Sequence, residues 1–458
     1  MNLVKLKEDV ENEGFYLNYP HLGLAYLASM LEKNKFTVRI IDSSASLINI
    51  NEIIKILKEE KPSIIGITVT TQTLRSVYLL VKEIKKASIK SEIVLGGPHI
   101  SAEPEIIKKI DVKYGFVGEA EYGLIKLCEF IIRKKGSINN IKGLVYKKNH
   151  KLKINERDFI KNLDLLPFPA RRLLPNDKYF SPVISGRITS MIATRGCPFN
   201  CIYCSRAAMG RQCFHRSPEN IAEEMKECVE KYNVKYIEFV DDTFTIKQDK
   251  ILSLCKLIKE KNIKVKWGCQ TRANLVDKKL LKEMHSAGCM KISFGVETGS
   301  QRVRYLLNKY ISDEAFRNAC KWCKEIGIET NAFFMFGHPT ETIEEMEQTI
   351  KFAKELDTDY AAFYITTIVP ASLLFNIALK EKLVNSDVWE KYMLGKVELP
   401  AYIPEKLNFK ILEEMHRKAF RSFYLRPKYI LKRIFKLKNF SELRNTVRIG
   451  CALFKNYF

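Results

Sequence analysis

The chain has 458 residues, 46% of them apolar and 28% charged, and 76 Lys and Arg against 53 Asp and Glu give a formal net charge of +23. At roughly 100–200 residues per domain, this length predicts two to four domains with cores that need no disulfide staples. The apolar share excludes wholesale disorder, and no apolar run approaches the roughly 18–20 residues of a membrane span.

The N-terminus, MNLVKLKEDVENEG, turns acidic where a secretion signal needs an apolar core, so a cytoplasmic protein is expected. Over residues 1–140, short apolar runs then alternate with amphipathic stretches. HLGLAYLASMLEKN reads as a helix, FTVRIIDSS as a strand, NINEIIKILKEEKP as a helix and SIIGITVTT as a buried strand. TLRSVYLLVKEIKKAS, SEIVLGGPH, EPEIIKKI, YGFVGEAE and YGLIKLCEFIIRKKG continue the alternation. Such βαβ units predict a Rossmann-like parallel sheet covered on both faces. Open α/β sheets bind ligands just beyond the carboxyl ends of their strands. Irregular, Gly-rich backbone falls just after these strands. A Gly-Gly-Pro run is also an ordinary strand-to-loop turn.

Residues 141–186 read as a linker, with GLVYKKNHKLKI as a hairpin and NLDLLPFPARRLLPNDKY punctuated by Pro. From 187 to 385, six strand–helix repeats of about 30–40 residues predict a partial (β/α)6 barrel of the TIM type, with its chemistry at the C-terminal strand ends. Residues 386–458 form a basic helical region. From Ala401 onward, 14 Lys and Arg against 4 Asp and Glu leave 14 − 4 = +10. The overall charge fits a polyanionic partner or a lysine-rich compositional bias equally well.

The first of the 12 cysteines is Cys128. Cys228, Cys255 and Cys289 stand alone in helix-like or strand-end text, as buried free thiols do. Cys320 and Cys323, three apart in a helical pattern, share one buried face. Without a secretion signal the thiols are expected to be reduced. Cys197, Cys201 and Cys204 differ: RGCPFNCIYCS directly follows the first barrel strand. Three soft thiolates suit zinc or an iron–sulfur cluster. Zinc would draw a fourth ligand from Cys213 or His215, whereas three ligands on a four-iron cluster leave one iron open.

This Cys-x3-Cys-x-aromatic-x-Cys pattern resembles the radical S-adenosylmethionine (SAM) superfamily. The resemblance implies a [4Fe-4S] cluster on Cys197, Cys201 and Cys204, whose open iron takes the amino and carboxylate groups of SAM and whose reduced form cleaves it to a radical. It further implies a set of SAM contacts. Tyr203 would lie near the adenine, Asp241 or Asp242 at the amino group with Asp242 favoured, and Glu297 near the ribose. Arg272 would pair with the carboxylate, a surface salt bridge being the equal alternative. Gly337-His338-Pro339 resembles the family's Gly-x-Pro-Gly-Glu-Thr turn, with His338 and Thr340 departing from it. A parallel α/β domain ahead of such a barrel, carrying YPHLGLAYLASMLEKNKFTVRIIDSS, ITVTTQT, VLGGPHISAEPE and VGEAE, resembles the cobalamin-binding class of these enzymes.

That likeness implies cobalamin held at Thr68, Thr70 and Thr71 and at Gly96 and Gly97. No Asp-x-His-x-x-Gly is present, so no lower-ligand His is expected and His99 reads as structural. The first strand, before Tyr19, is short and polar. The implied activity is methyl transfer to an unactivated carbon of a small-molecule or lipid-like substrate, with flavodoxin or ferredoxin as electron donor. The alternative is a cyclase or oxidoreductase without methyl transfer, like the anaerobic magnesium-protoporphyrin cyclase. No nucleic-acid partner is expected. RKAFRSFYLRPKYILKRIFKLKNF reads as a lid packed on the barrel or as a peripheral membrane helix.

Overall fold

Two largely parallel sheets carry the chain in a computed structural model that describes residues 1–6, 19–149, 151–181 and 184–436. The first contains β1 (Asn2–Lys5), β2 (Arg39–Asp42), β3 (Ile64–Thr68), β4 (Glu92–Gly96), β5 (Tyr114–Phe116), β6 (Leu144–Lys148) and β7 (Lys151–Ile154). Their spatial order is β2-β1-β3-β4-β5-β6-β7. The short first strand therefore lies inside the sheet, with Leu3 and Val4 buried and Val4 registered on Ile41 and Ile67. β1 to β5 run parallel, as strand–helix–strand units require. The hairpin expected in the linker is present as β6 and β7, but it extends this sheet antiparallel, with Gly115 opposite Val145.

Helices Leu22–Lys33, Ile50–Glu60, Leu74–Lys86 and Glu121–Arg133 pack on this sheet. Asn49 and Glu52 form a reciprocal capping box that starts the second of them.

The second sheet holds β8 (Arg187–Met191), β11 (Val234–Phe239), β12 (Lys266–Thr271), β13 (Cys289–Glu297), β14 (Glu329–Phe336) and β15 (Tyr360–Ile365). All are parallel, in the order β15-β14-β13-β12-β11-β8, an open six-stranded half-barrel. A small antiparallel pair, β9 (Thr194–Arg195) and β10 (Phe214–His215), stands beside it. One residue set along the strands, including Phe239, Trp267, Phe294, Phe334 and Phe363, forms the core against the flanking helices. The alternate set turns to the concave face, where Lys291 pairs with Glu238 at 3.4 Å. Cys320 and Cys323 are both buried in helix Asp313–Ile326 and join that core, as their spacing implies.

The two lobes share an apolar contact in which Ile202, Leu307, Leu374 and Trp389 pack with Ile67, Leu74 and Ile100. Helix Phe409–Tyr424 lies on β15, with Phe420 and Phe423 against Phe363. Helix Pro427–Lys436 follows, Tyr429 donating to the Asp359 carbonyl at 2.9 Å. The part of the basic region from 437 to 458 lies outside the described residues.

Candidate functional site

The cysteine loop leaves the C-terminal end of the half-barrel's first strand. Asp241, just past β11, fixes its root: the carboxylate accepts from Ala193 N–H at 3.0 Å and from the Thr194 hydroxyl at 2.7 Å. Burial pushes this carboxyl up to about 7 against those hydrogen bonds. Asp241 is thus occupied with backbone, whereas the neighbouring Asp242 carboxylate adds to the upward shift of Cys197 and Cys204. Gly196 turns the chain at φ +87°, and an added Cβ would fall 2.0 Å from the Gln212 carbonyl oxygen. Only glycine makes that turn.

Cys197, Cys201 and Cys204 are all free thiols, half-buried, buried and exposed in that order. Burial raises the half-buried Cys197 thiol. A cationic centre would therefore have to draw off its proton on ligation. Among the described residues, no three Cys, His, Asp or Glu side chains converge closely enough to hold a single ion. An iron–sulfur cluster takes each thiolate on a separate iron, and three soft donors on one loop fit such a group.

Around the triplet stand groups from the neighbouring strands. Arg272 follows β12, is buried, and directs Nη1 toward Cys201 Sγ at 3.7 Å while its guanidinium covers the Phe199 ring at 3.8 Å. Its Nε has no partner among the described residues. Tyr203 donates its hydroxyl to Glu297 Oε1 at 2.9 Å, and the buried Lys309 ammonium pairs with the same oxygen at 2.5 Å. Glu297 ends β13 at φ +68°, where the register with β14 shifts. A non-glycine residue held there is locally strained, so the surroundings dictate where its carboxylate sits. Sequence reasoning missed Lys309, because a lone Lys in loop text carries no spacing signal. His338 is buried beside Thr366, and burial lowers its ring to about 4, leaving it neutral. Glu341 closes that turn by accepting from Gly337 N–H at 2.8 Å and His338 N–H at 3.0 Å.

At the carboxyl ends of β3 and β4, the three threonines have internal partners. Thr68 lies 3.4 Å from His21 Nε2 and Thr71 3.1 Å from His99 Nδ1, while Thr70 and Thr73 cap each other. Gly97 has φ +99°, and a Cβ there would lie 2.8 Å from the Val69 carbonyl oxygen. Beside Gly96 nothing among the described residues lies within 4 Å of such an atom. This ledge at the strand ends, open at Gly96, fits the close approach of a large planar cofactor. His99 is fully buried, edge-on to Trp389 at 5.8 Å, and burial lowers it to about 4. It is enclosed, as a structural histidine is.

The radical SAM superfamily profile matches residues 191–353, and the B12 binding domain profile matches residues 13–127. The chain is 36% identical over 430 residues to an uncharacterized methyltransferase of Pyrococcus horikoshii, covering 92% of this chain and 91% of that protein. It is 26% identical to the anaerobic magnesium-protoporphyrin IX monomethyl ester cyclase of Rubrivivax gelatinosus, over 90% and 75% of the two chains. The solved structure of the cobalamin-dependent S-adenosylmethionine radical enzyme OxsB superposes with a TM-score of 0.77 at 18% identity, covering 99% of this chain and 71% of that one.

Proposed function

The chain belongs to the radical SAM superfamily, in the branch with an N-terminal B12 binding domain, and from that premise we propose that it transfers a methyl group to an unactivated carbon of a small-molecule substrate. One observation carries the reading: three free thiols share a barrel-mouth loop with Tyr203, which is bonded to Glu297, and Arg272 reaches Cys201 from the next strand. The kinship with a methyltransferase favours methyl transfer over the cyclase alternative. When bound, the iron–sulfur cluster with SAM supplies a hydrogen-abstracting radical, and cobalamin supplies the methyl donor.

Cys197, Cys201 and Cys204 would hold the cluster. Arg272, with spare donors beside Cys201, would take the SAM carboxylate in a charge-assisted contact. Asp242 would accept from the amino group, while Asp241 keeps the loop in place. Glu297, fixed by Tyr203 and Lys309, would accept from the ribose hydroxyls. Thr68, Thr70, Thr71, Gly96 and Gly97 would shape the cobalamin side. The protein's contribution is geometric: it holds donor, radical source and substrate in one water-poor cleft.

We divide the chain into a cobalamin-side lobe (1–140), a connector (141–186) whose hairpin completes that lobe's sheet, the barrel (187–385) and a basic helical extension (386–458). Its reductant would be a flavodoxin or ferredoxin in a reducing cytoplasm. Leu431 and Phe435 are exposed beside Lys428 on the last described helix, which supports a peripheral membrane contact and a lipid-like substrate as a further part of this reading. Among the described residues no helix is long and apolar enough to cross a membrane.

The test is anaerobic incubation of reconstituted protein with methyl-deuterated SAM, dithionite and a small-molecule extract. A product that gains the labelled methyl group, together with 5′-deoxyadenosine, is expected. A product that changes mass without the label favours the cyclase-type reading, and persistence of 5′-deoxyadenosine formation in Cys201→Ala would refute the cluster assignment.

A further inference from the structure

One buried cation ties the cysteine loop to the first lobe. Arg195, on β9 and two residues before Cys197, is 7% exposed. Its Nη1 lies 2.5 Å from Glu119 Oε1 and 2.7 Å from Glu121 Oε1, two carboxylates just past β5 of the other sheet. Glu119 is itself anchored, its second oxygen accepting from Ile160 N–H in the connector at 2.7 Å. Tyr26, on the first helix of that lobe, lies with its ring 5.1 Å from the guanidinium. From the barrel side, Asp241 grips Ala193 and Thr194 on the same short segment.

The lobes also meet through apolar contacts, at Ile202, Leu307 and Leu374 in one cluster and at Ile188 and Tyr236 in another, and Ser190 donates its hydroxyl to the Pro20 carbonyl at 3.1 Å, away from the cysteine loop. Apolar burial is non-directional and tolerates sliding. A guanidinium clamped between two carboxylates has a narrow set of geometries. Desolvation makes such a buried arrangement a weak source of net stability, and specifying register is the best-attested use of buried charge. The segment it fixes runs through the Gly196 turn directly into Cys197.

We infer that Arg195 is a positioning residue: clamped by Glu119 and Glu121, it sets the distance and orientation of the cluster loop relative to the carboxyl ends of the first sheet, and so the spacing between the two bound cofactors. This rests on the reading above that both lobes hold their cofactors.

The test is pulsed EPR on anaerobically purified full-length protein, reading the dipolar coupling between the reduced cluster and cob(II)alamin. Wild type should give a narrow coupling distribution. Arg195→Gln should at least double its width, with iron and corrinoid contents per chain unchanged, and Arg195→Lys should fall between. An unchanged width in Arg195→Gln overturns the inference. Should Arg195→Gln fail to fold, Glu121→Gln keeps the cation and Glu119; a measurable broadening supports the clamp, and an unchanged width overturns it. A wild-type protein that binds iron but no corrinoid would instead refute the two-cofactor reading, and this inference with it.

Discussion

Replacing Lys309 by Met strands a buried carboxylate. Glu297 is 7% exposed and Lys309 5%, and the pair is 2.5 Å apart. Removing one partner of a buried ion pair costs about 3–5 kcal/mol, because the remaining charge keeps its desolvation penalty. Tyr203 still donates to Glu297 at 2.9 Å. A hydrogen bond to a charged group is worth about 1.5–3 kcal/mol and holds the loss near the lower bound, at about 3 kcal/mol. Adding Glu297→Gln removes the stranded charge and keeps an acceptor for Tyr203. The double variant should therefore return to within about 1 kcal/mol of wild type in urea unfolding of the cofactor-free barrel.

Binding of SAM separates a structural role from a functional one. The double variant lacks the anionic acceptor proposed for the ribose, so its SAM affinity, read by equilibrium dialysis on reconstituted protein, should fall about 10- to 100-fold despite recovered stability. Wild-type unfolding by Lys309→Met, or a double variant no more stable than the single one, would refute the buried-pair reasoning. Wild-type SAM affinity in the double variant would remove Glu297 from the proposed contacts.

Gly97→Ala forces a side chain into a left-handed conformation, costing about 1–2 kcal/mol, and onto the Val69 backbone, costing about 1–3 kcal/mol more. Corrinoid content should drop while iron content stays constant, and equal corrinoid in variant and wild type would contradict the ledge. Glu341 offers a pH test: burial raises its carboxyl from 4.5 to about 8. Between those values the unfolded chain ionises this group and the folded chain does not, so rising pH progressively penalises folding. Glu341→Gln should gain stability relative to wild type from about pH 5 to about pH 8.5, by at most ~5 kcal/mol, and a constant difference in urea unfolding would contradict the shift.

The strand–helix alternation and the cysteine triplet were legible because both are local patterns, one of apolar period and the other of ligand spacing. What the text concealed depends on pairing at a distance. The 144–154 hairpin is plain as a hairpin, yet nothing in its residues says that β5 is its neighbour. β1 is only four residues long and preceded by no cue, and it becomes a strand by insertion between β2 and β3. Asp241 and Asp242 are adjacent at a strand tip, where successive side chains point to opposite sides, and only the fold shows which one meets the Ala193–Thr194 backbone. Lys309 and Arg195 owe their roles to partners 12 and 76 residues away, at Glu297 and Glu119, and no periodicity announces those.

The cofactor inventory of protein purified without air tests the central claim most directly. Iron, acid-labile sulfide and corrinoid should be recovered together, with about four irons per chain. Stoichiometric zinc with no iron would contradict the assignment of Cys197, Cys201 and Cys204 to a cluster, and with it the chemistry proposed for this fold.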